Sequence, residues 1–303
     1  MEGQGRYIAH TVKQFIQAEP ASLLRSNVSF LHCNNLPIST LRVGLIQVLD
    51  RQGQFMASRI NLRLATTMWL AGMLGVAVVA ILVVPILVSG RPLSMPVWAF
   101  SAISLVQGAL FLALAVWAGV ALAQKVGLHA PAFEAFARSS AIAAALRPQL
   151  APGLLGGLAG GALLVALSYA PPPELAAAAK AFSFPLSARV LYGGITEELL
   201  LRWGLMSLVL WLLWRFLHRS HTLPPTSLVW VTIVSTAVLF GVGHLPAANS
   251  LAGDLTFHVV AFVIGGNAVF GILAGWLFWR FGLESAILAH GIAHVVAYIA
   301  AAV

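Results

Sequence analysis

From residue 64 onward, long apolar runs alternate with short joins where Pro, Gly and single Arg or Lys residues collect. A helix needs about 20 mostly apolar residues to cross the hydrocarbon core of a bilayer. By that measure the pattern predicts spans at 64–88, 97–123, 150–170, 187–213, 227–247, 258–279 and 284–302. The fold class it predicts is all-α: a polytopic transmembrane helix bundle of about seven spans, with eight as the alternative count. The longest internal join, PPPELAAAAKAFSFPLSAR at 171–189, is mildly amphipathic, and it is expected to lie along the membrane interface. No internal repeat suggests a two-fold transporter architecture.

Composition strengthens the membrane reading. Hydrophobic residues make up 60% of the 303 and charged residues only 9%, against roughly 25% charged in an ordinary soluble domain. The net charge of +8 is carried by Lys and Arg scattered singly between apolar runs, a topology signal and not a phosphate-binding stripe. The expected partner is therefore the lipid bilayer, with no nucleic acid. Arg59, Arg63, Lys125, Arg138, Arg147, Arg215, Arg219 and Arg280 fall at one set of loop ends, and Arg91, Lys180 and Arg189 at the other. The richer set is expected to face the cytoplasm, and the high Gly and Ala content suggests a bacterial cytoplasmic (inner) membrane. A lone cysteine, Cys33, excludes an intrachain disulfide and any CxxC motif.

Residues 1–55 differ from the rest, with several Arg and Lys, no apolar run long enough to span and no visible signal peptide. MASRINLRLATTMWLAG, from Met56, reads as an ordinary start for a membrane protein. The expected organisation is an N-terminal extension of unknown role at 1–55, N-terminal transmembrane helices at 56–180 and a second helix bundle at 181–303. The extension is expected to be dispensable or a misassigned start, which mass spectrometry of the native N-terminus would decide.

The candidate chemistry sits in the last four spans. Glu197 and Glu198 lie side by side in LYGGITEELLLRWGLMSLVLWLLW, with Arg202 as the nearest cation. A carboxylate in hydrocarbon costs several kcal/mol unless paired or protonated, so such residues are functional candidates by default. On an ordinary α-helix, Glu198 and Arg202 share a face, while Glu197 projects about 100° away. That arrangement lets Arg202 hold Glu198 as an orienting carboxylate and leaves Glu197 to face a cavity as a general base or acid. Downstream, FGVGH places Phe240 and His244 four apart, and ESAILAHGIAH places His290 and His294 four apart. His258 reads as an interface residue. Each histidine alone is as readily a hydrogen-bonding strut between helices as a catalytic group.

EELLLR, FGVGH and the final histidine pair resemble, in order and separation, the EExxxR, FxxxH and HxxxN motifs of the CPBP family of intramembrane proteases. That family includes the Rce1-type CAAX prenyl endopeptidases and bacterial relatives described as Abi or bacteriocin-processing proteins. The resemblance covers roughly residues 185–300, and it implies that the 181–303 bundle is catalytic and that the partner is a peptide or membrane-protein substrate. It implies that Glu197 and His244 activate a water for attack on a peptide carbonyl, that Glu198 and Arg202 support Glu197, and that His290 stabilises the oxyanion. His294 stands where the family usually has Asn, and a histidine can also donate a hydrogen bond.

Zinc accepts the same donor types, so a divalent metal held by His244, His290 and His294 with Glu197 is the alternative to metal-free catalysis. HExxH, the zinc-protease spacing, is absent. A non-catalytic scaffold or immunity protein on the same bundle is the competing function. A channel or transporter ranks third, because it would carry charge along several spans and only the glutamate span is read as acidic. If the last three spans cross fully, His244 and His290 would differ in depth by about 15 Å at 1.5 Å per residue. Convergence then calls for strong tilt, shifted boundaries or a break at the glycines of VIGGNAVFGILAG.

Overall fold

The computed structural model describes residues 38–89, 92–181, 184–217 and 223–302. Residues 1–37 of the expected extension, Cys33 among them, lie outside the described residues, as do Arg91 and Arg219. Helix α1 (Ile38–Val78) runs through a π-helical turn, Val79–Val83, into α2 (Val84–Val88). Pro85 explains that turn, because it offers no N–H to the preceding turn and its ring pushes the carbonyl four residues back aside. Then come α3 (Val97–Leu122), α4 (Pro131–Ala137), α5 (Ile142–Ser168), α6 (Pro173–Ala181) and α7 (Leu186–Ala188). The chain continues through two π-helical segments, Arg189–Glu197 and Leu199–Met206, into α8 (Ser207–Leu217). It ends with α9 (Thr226–Gly243), α10 (Leu245–Ala252), α11 (Phe257–Phe281) and α12 (Leu283–Ala300).

Among the described residues, seven helical stretches are long and apolar enough to cross a membrane: Met56–Val88, Val97–Val126, Ile142–Ser168, Leu186–Leu217, Thr226–Ala252, Phe257–Phe281 and Leu283–Ala300. The protein is an all-α integral membrane protein with the span count the hydropathy pattern predicts. Two boundaries move furthest, and the first stretch starts at Met56 and not at 64. The third stretch starts at Ile142 and not near 150, because Pro148 and Pro152 lie inside the helix. The amide of Gln149 donates to Ala145 O at 3.2 Å, supplying a donor to a turn that proline leaves short of N–H groups.

Residues Ser58–Val303 form one compact unit. Trp203, Phe278, Leu210, Ile233 and Leu277 are fully buried in its core. Along α5, glycines face α12 and α11: a Cβ at Gly157 would stand 2.5 Å from Ile292 Cβ, and one at Gly160 would stand 2.6 Å from Phe270. Small residues at such crossings let helix backbones approach closely. The 171–189 join contains α6, which docks Leu175 on a small apolar cluster of Ala248, Val259 and Val263. Arg63 Nη1 donates to Ser139 Oγ at 3.0 Å, and Leu283 N to His129 O at 3.1 Å. These contacts put the starts of the first and last spans at one end with Arg138, as the charge bias predicts. The acidic inventory needs correction, since Glu284 lies in the first turn of α12 and is only 6% exposed. The sequence reading counted only the Glu197–Glu198 span as acidic, but two backbone N–H groups make the burial of Glu284 tolerable, Ala132 N at 2.8 Å and Phe133 N at 2.9 Å.

Candidate active site

The two glutamates sit on a helix wider than the α-helix assumed from their spacing. Arg189–Glu197 and Leu199–Met206 are π-helical, with hydrogen bonds running to the fifth residue, so the 100° separation does not apply. Local chemistry supports the wide turn. Thr196 Oγ1 donates to Gly72 O at 2.7 Å on α1 and to Leu191 O, five residues back, at 3.3 Å. Gly194 lets α12 close in, since a Cβ there would stand 3.1 Å from Gly291 Cα.

Glu198 is fully buried. Its Oε1 lies 2.7 Å from His290 Nδ1 and 3.1 Å from Arg202 Nη1. With the guanidinium on the same oxygen, that oxygen is the acceptor and Nδ1–H the donor. The Nη1 contact is an ion pair without hydrogen-bond alignment. Arg202 is fixed instead by Nη2 donating to Gly271 O at 3.2 Å and by stacking 5.1 Å over the Phe240 ring. Glu198 is thus tied to His290 as well as to Arg202, a contact the sequence did not reveal.

Glu197 points elsewhere. Its Oε1 is 3.9 Å from His244 Nε2 and its Oε2 is 4.0 Å from His290 Nε2. Both gaps exceed direct hydrogen-bond range and suit a polar contact bridged by a water. The Glu197 and His244 side chains are 15% and 35% exposed, whereas those of Glu198 and His290 are 0% and 5% exposed, so the open side of the cluster is the Glu197–His244 side.

His244 ends α9 at the turn into α10 and folds back on its own helix. Its Nδ1 meets Phe240 O at 2.9 Å, and Phe240 stacks edge-on against the imidazole at 4.6 Å. A carbonyl only accepts, so Nδ1–H is the donor and Nε2 is the ring nitrogen turned toward Glu197. His290 packs 4.5 Å from Phe270 and stacks on His294 at 4.9 Å and 25°. His294 joins the site through that stack. Gly193, one turn before Glu197, makes room for it: a Cβ there would stand 2.7 Å from His294 Nε2 and 3.5 Å from His290 Nε2. Sequence reasoning passed over Gly193 and Phe270; the Gly-Gly pair ahead of Glu197 was the available signal for the first.

The depth mismatch between His244 and His290 is taken up without a helix break. α11 is continuous through Gly265 and Gly266; the Glu197 carboxylate spans the space instead, one oxygen toward each imidazole. His258 is exposed and stacks on Phe257. Among the described residues, no group of three or more His, Cys, Asp or Glu side chains is arranged to hold a metal ion. Of the donors Glu197, His244, His290 and His294, His290 gives Nδ1–H to Glu198 and turns its Nε2 toward Glu197.

The fold and site define a class: a helical integral membrane protein with buried acid–base groups converging from three helices. Residues 180–296 match the family model described as Type II CAAX prenyl endopeptidase Rce1-like. All three motifs lie within that segment, and the resemblance they carry holds. No curated protein and no solved structure matches the chain.

Proposed function

We propose that the protein is an intramembrane endopeptidase that hydrolyses a peptide bond of a hydrophobic, lipidated or membrane-associated substrate with a water activated by Glu197 and His244. The observation that carries this reading is the placement of Glu197, with one oxygen 3.9 Å from His244 Nε2 and the other 4.0 Å from His290 Nε2. A water between Glu197 and His244 attacks the carbonyl carbon, and its proton passes to Glu197. The oxyanion forms beside His290, whose Nε2 donates to it in the imidazolium form while Nδ1–H stays on Glu198. Collapse breaks the C–N bond, and the proton held by Glu197 goes to the leaving amine. Glu198 and Arg202 orient His290 and take no proton. No step is routed through a metal, and the cytoplasmic membrane of a bacterium is the setting proposed from composition.

Glu197→Gln in purified proteoliposomes, with a membrane-protein or lipidated peptide substrate found by comparing the proteomes of cells carrying either form, is expected to abolish cleavage. Retained cleavage would rule out the proposed base, whereas absence of cleavage in the parent protein would favour a scaffold or immunity role.

A further inference from the structure

The mechanism leaves one buried carboxylate unused. Glu284 lies six residues before His290 on α12, is 6% exposed, and its Oε1 accepts from Ala132 N at 2.8 Å and Phe133 N at 2.9 Å. The neighbouring residue is tied as well: Ser285 N donates to Gln149 Oε1 and Ser285 Oγ to Gln149 O, both at 3.3 Å. An apolar side chain would fill the same space without the desolvation cost of a carboxylate. What the carboxylate adds is a pair of short charge-assisted bonds with fixed direction and length.

Those bonds matter because His290, less than two turns further along the same helix, works to a narrow tolerance. His290 Nδ1 meets Glu198 Oε1 at 2.7 Å, and a hydrogen bond is lost beyond about 3.5 Å. A slide of α12 across that bond by roughly 2 Å, little more than its rise of about 1.5 Å per residue, stretches the contact past the limit. Above Ser285, α12 meets α5 through glycines facing Leu288, Ile292 and Val296.

We propose that Glu284 is a positioning residue: through Ala132 and Phe133 it fixes the height of α12, so that His290 reaches Glu198 and faces Glu197. The catalytic consequence rests on the protease reading, whereas the positional claim stands apart from it. The test is a ¹⁵N–¹H spectrum of ¹⁵N-histidine-labelled full-length protein in lipid nanodiscs. The His290 Nδ1–H resonance is assigned by its loss in His290→Gln. Glu284→Gln keeps an acceptor oxygen at the same reach, so the resonance should persist. Glu284→Leu removes the acceptor and Glu284→Asp withdraws it by one methylene, so both should shift or lose the resonance. An unchanged resonance in Glu284→Asp overturns the proposal, and this arm decides if Glu284→Leu does not fold. In the cleavage assay, kcat of Glu284→Asp should fall at least tenfold at unchanged KM, with Glu284→Gln within twofold of the parent; a loss confined to KM also counts against it. Absence of cleavage in the parent protein would sink the protease reading and leave the spectroscopic result decisive for position.

Discussion

Replacing either of two adjacent glutamates by glutamine is the same chemical change, one residue apart, and the structure assigns it opposite consequences. Glu197 has no hydrogen-bond or ion-pair contact shorter than 3.9 Å to the site histidines. Glu197→Gln should therefore leave stability within about 0.5 kcal/mol, the usual range for a substitution that breaks no buried network, while lowering the cleavage rate by about 10²–10⁴-fold, the span expected for a lost general base. Glu198 is fully buried, with Arg202 3.1 Å away and itself 3% exposed. Removing one partner of a buried pair costs about 3–5 kcal/mol because the other charge is left uncompensated. Here the low end applies, about 3 kcal/mol, because Arg202 keeps Gly271 O and the Phe240 ring and a glutamine oxygen can still accept from His290. That is roughly a hundredfold shift in the unfolding equilibrium at about 1.4 kcal/mol per decade. Reversible unfolding in mixed micelles, read beside cleavage in proteoliposomes, separates the two. Equal destabilisation by both variants would refute the division of labour, and so would a Glu198→Gln protein as stable as its parent.

The remaining expectations concern pH, one glycine and one histidine. Outside the spans, the hydrogen bond that His129 donates to Glu134 holds His129 above its usual range, while burial works against ionisation of Glu134 but is outweighed by the bonds it accepts from His129 and Ala130, so Glu134 sits below its usual range. The His129 contribution to stability is therefore complete below about pH 6.5 and is lost as pH rises through the elevated value, and the Glu134 contribution is lost only under stronger acid; the melting difference between the parent and His129→Gln should be largest near pH 6 and vanish in alkali, and a pH-independent difference would contradict this. Gly193→Ala puts a Cβ 2.7 Å from His294 Nε2 and should cut cleavage at least tenfold with the fold intact, as judged by a melting curve that moves little while activity disappears. His294→Asn installs the amide that the resembled motif carries and should keep cleavage within about threefold, whereas His294→Leu, with no polar atom, should lose more than tenfold; equal activity of the two would show that this position makes no polar contribution.

Local pattern made the number of spans legible, because a charge-free run of about 20 residues has few alternatives to crossing a bilayer. It did the same for Glu197, His244 and His290, since each departs from an apolar background. Features that depend on contacts distant in sequence were not legible. The π-helical turns follow from Thr196 reaching Gly72 O across 124 positions and from Gly194 meeting Gly291, and no periodicity in EELLLR announces them. The burial of Glu284 was not legible because its partners, Ala132 and Phe133, lie about 150 residues earlier.

The same distinction explains why two neighbouring carboxylates serve different ends. Pairing with Arg202 is a local, four-residue relation that any helix could offer. The bond from His290 crosses 92 positions and gives the pair its direction: Arg202 fixes the Glu198 oxygen, that oxygen takes Nδ1–H, and the remaining nitrogen of His290 is left facing Glu197. Each link commits one atom of the next group, so the chain of contacts has a single free end, and that end lies on the side of the cluster where Glu197 and His244 are open. A structural ion pair would need none of this order, since Glu198 and Arg202 could satisfy each other without His290.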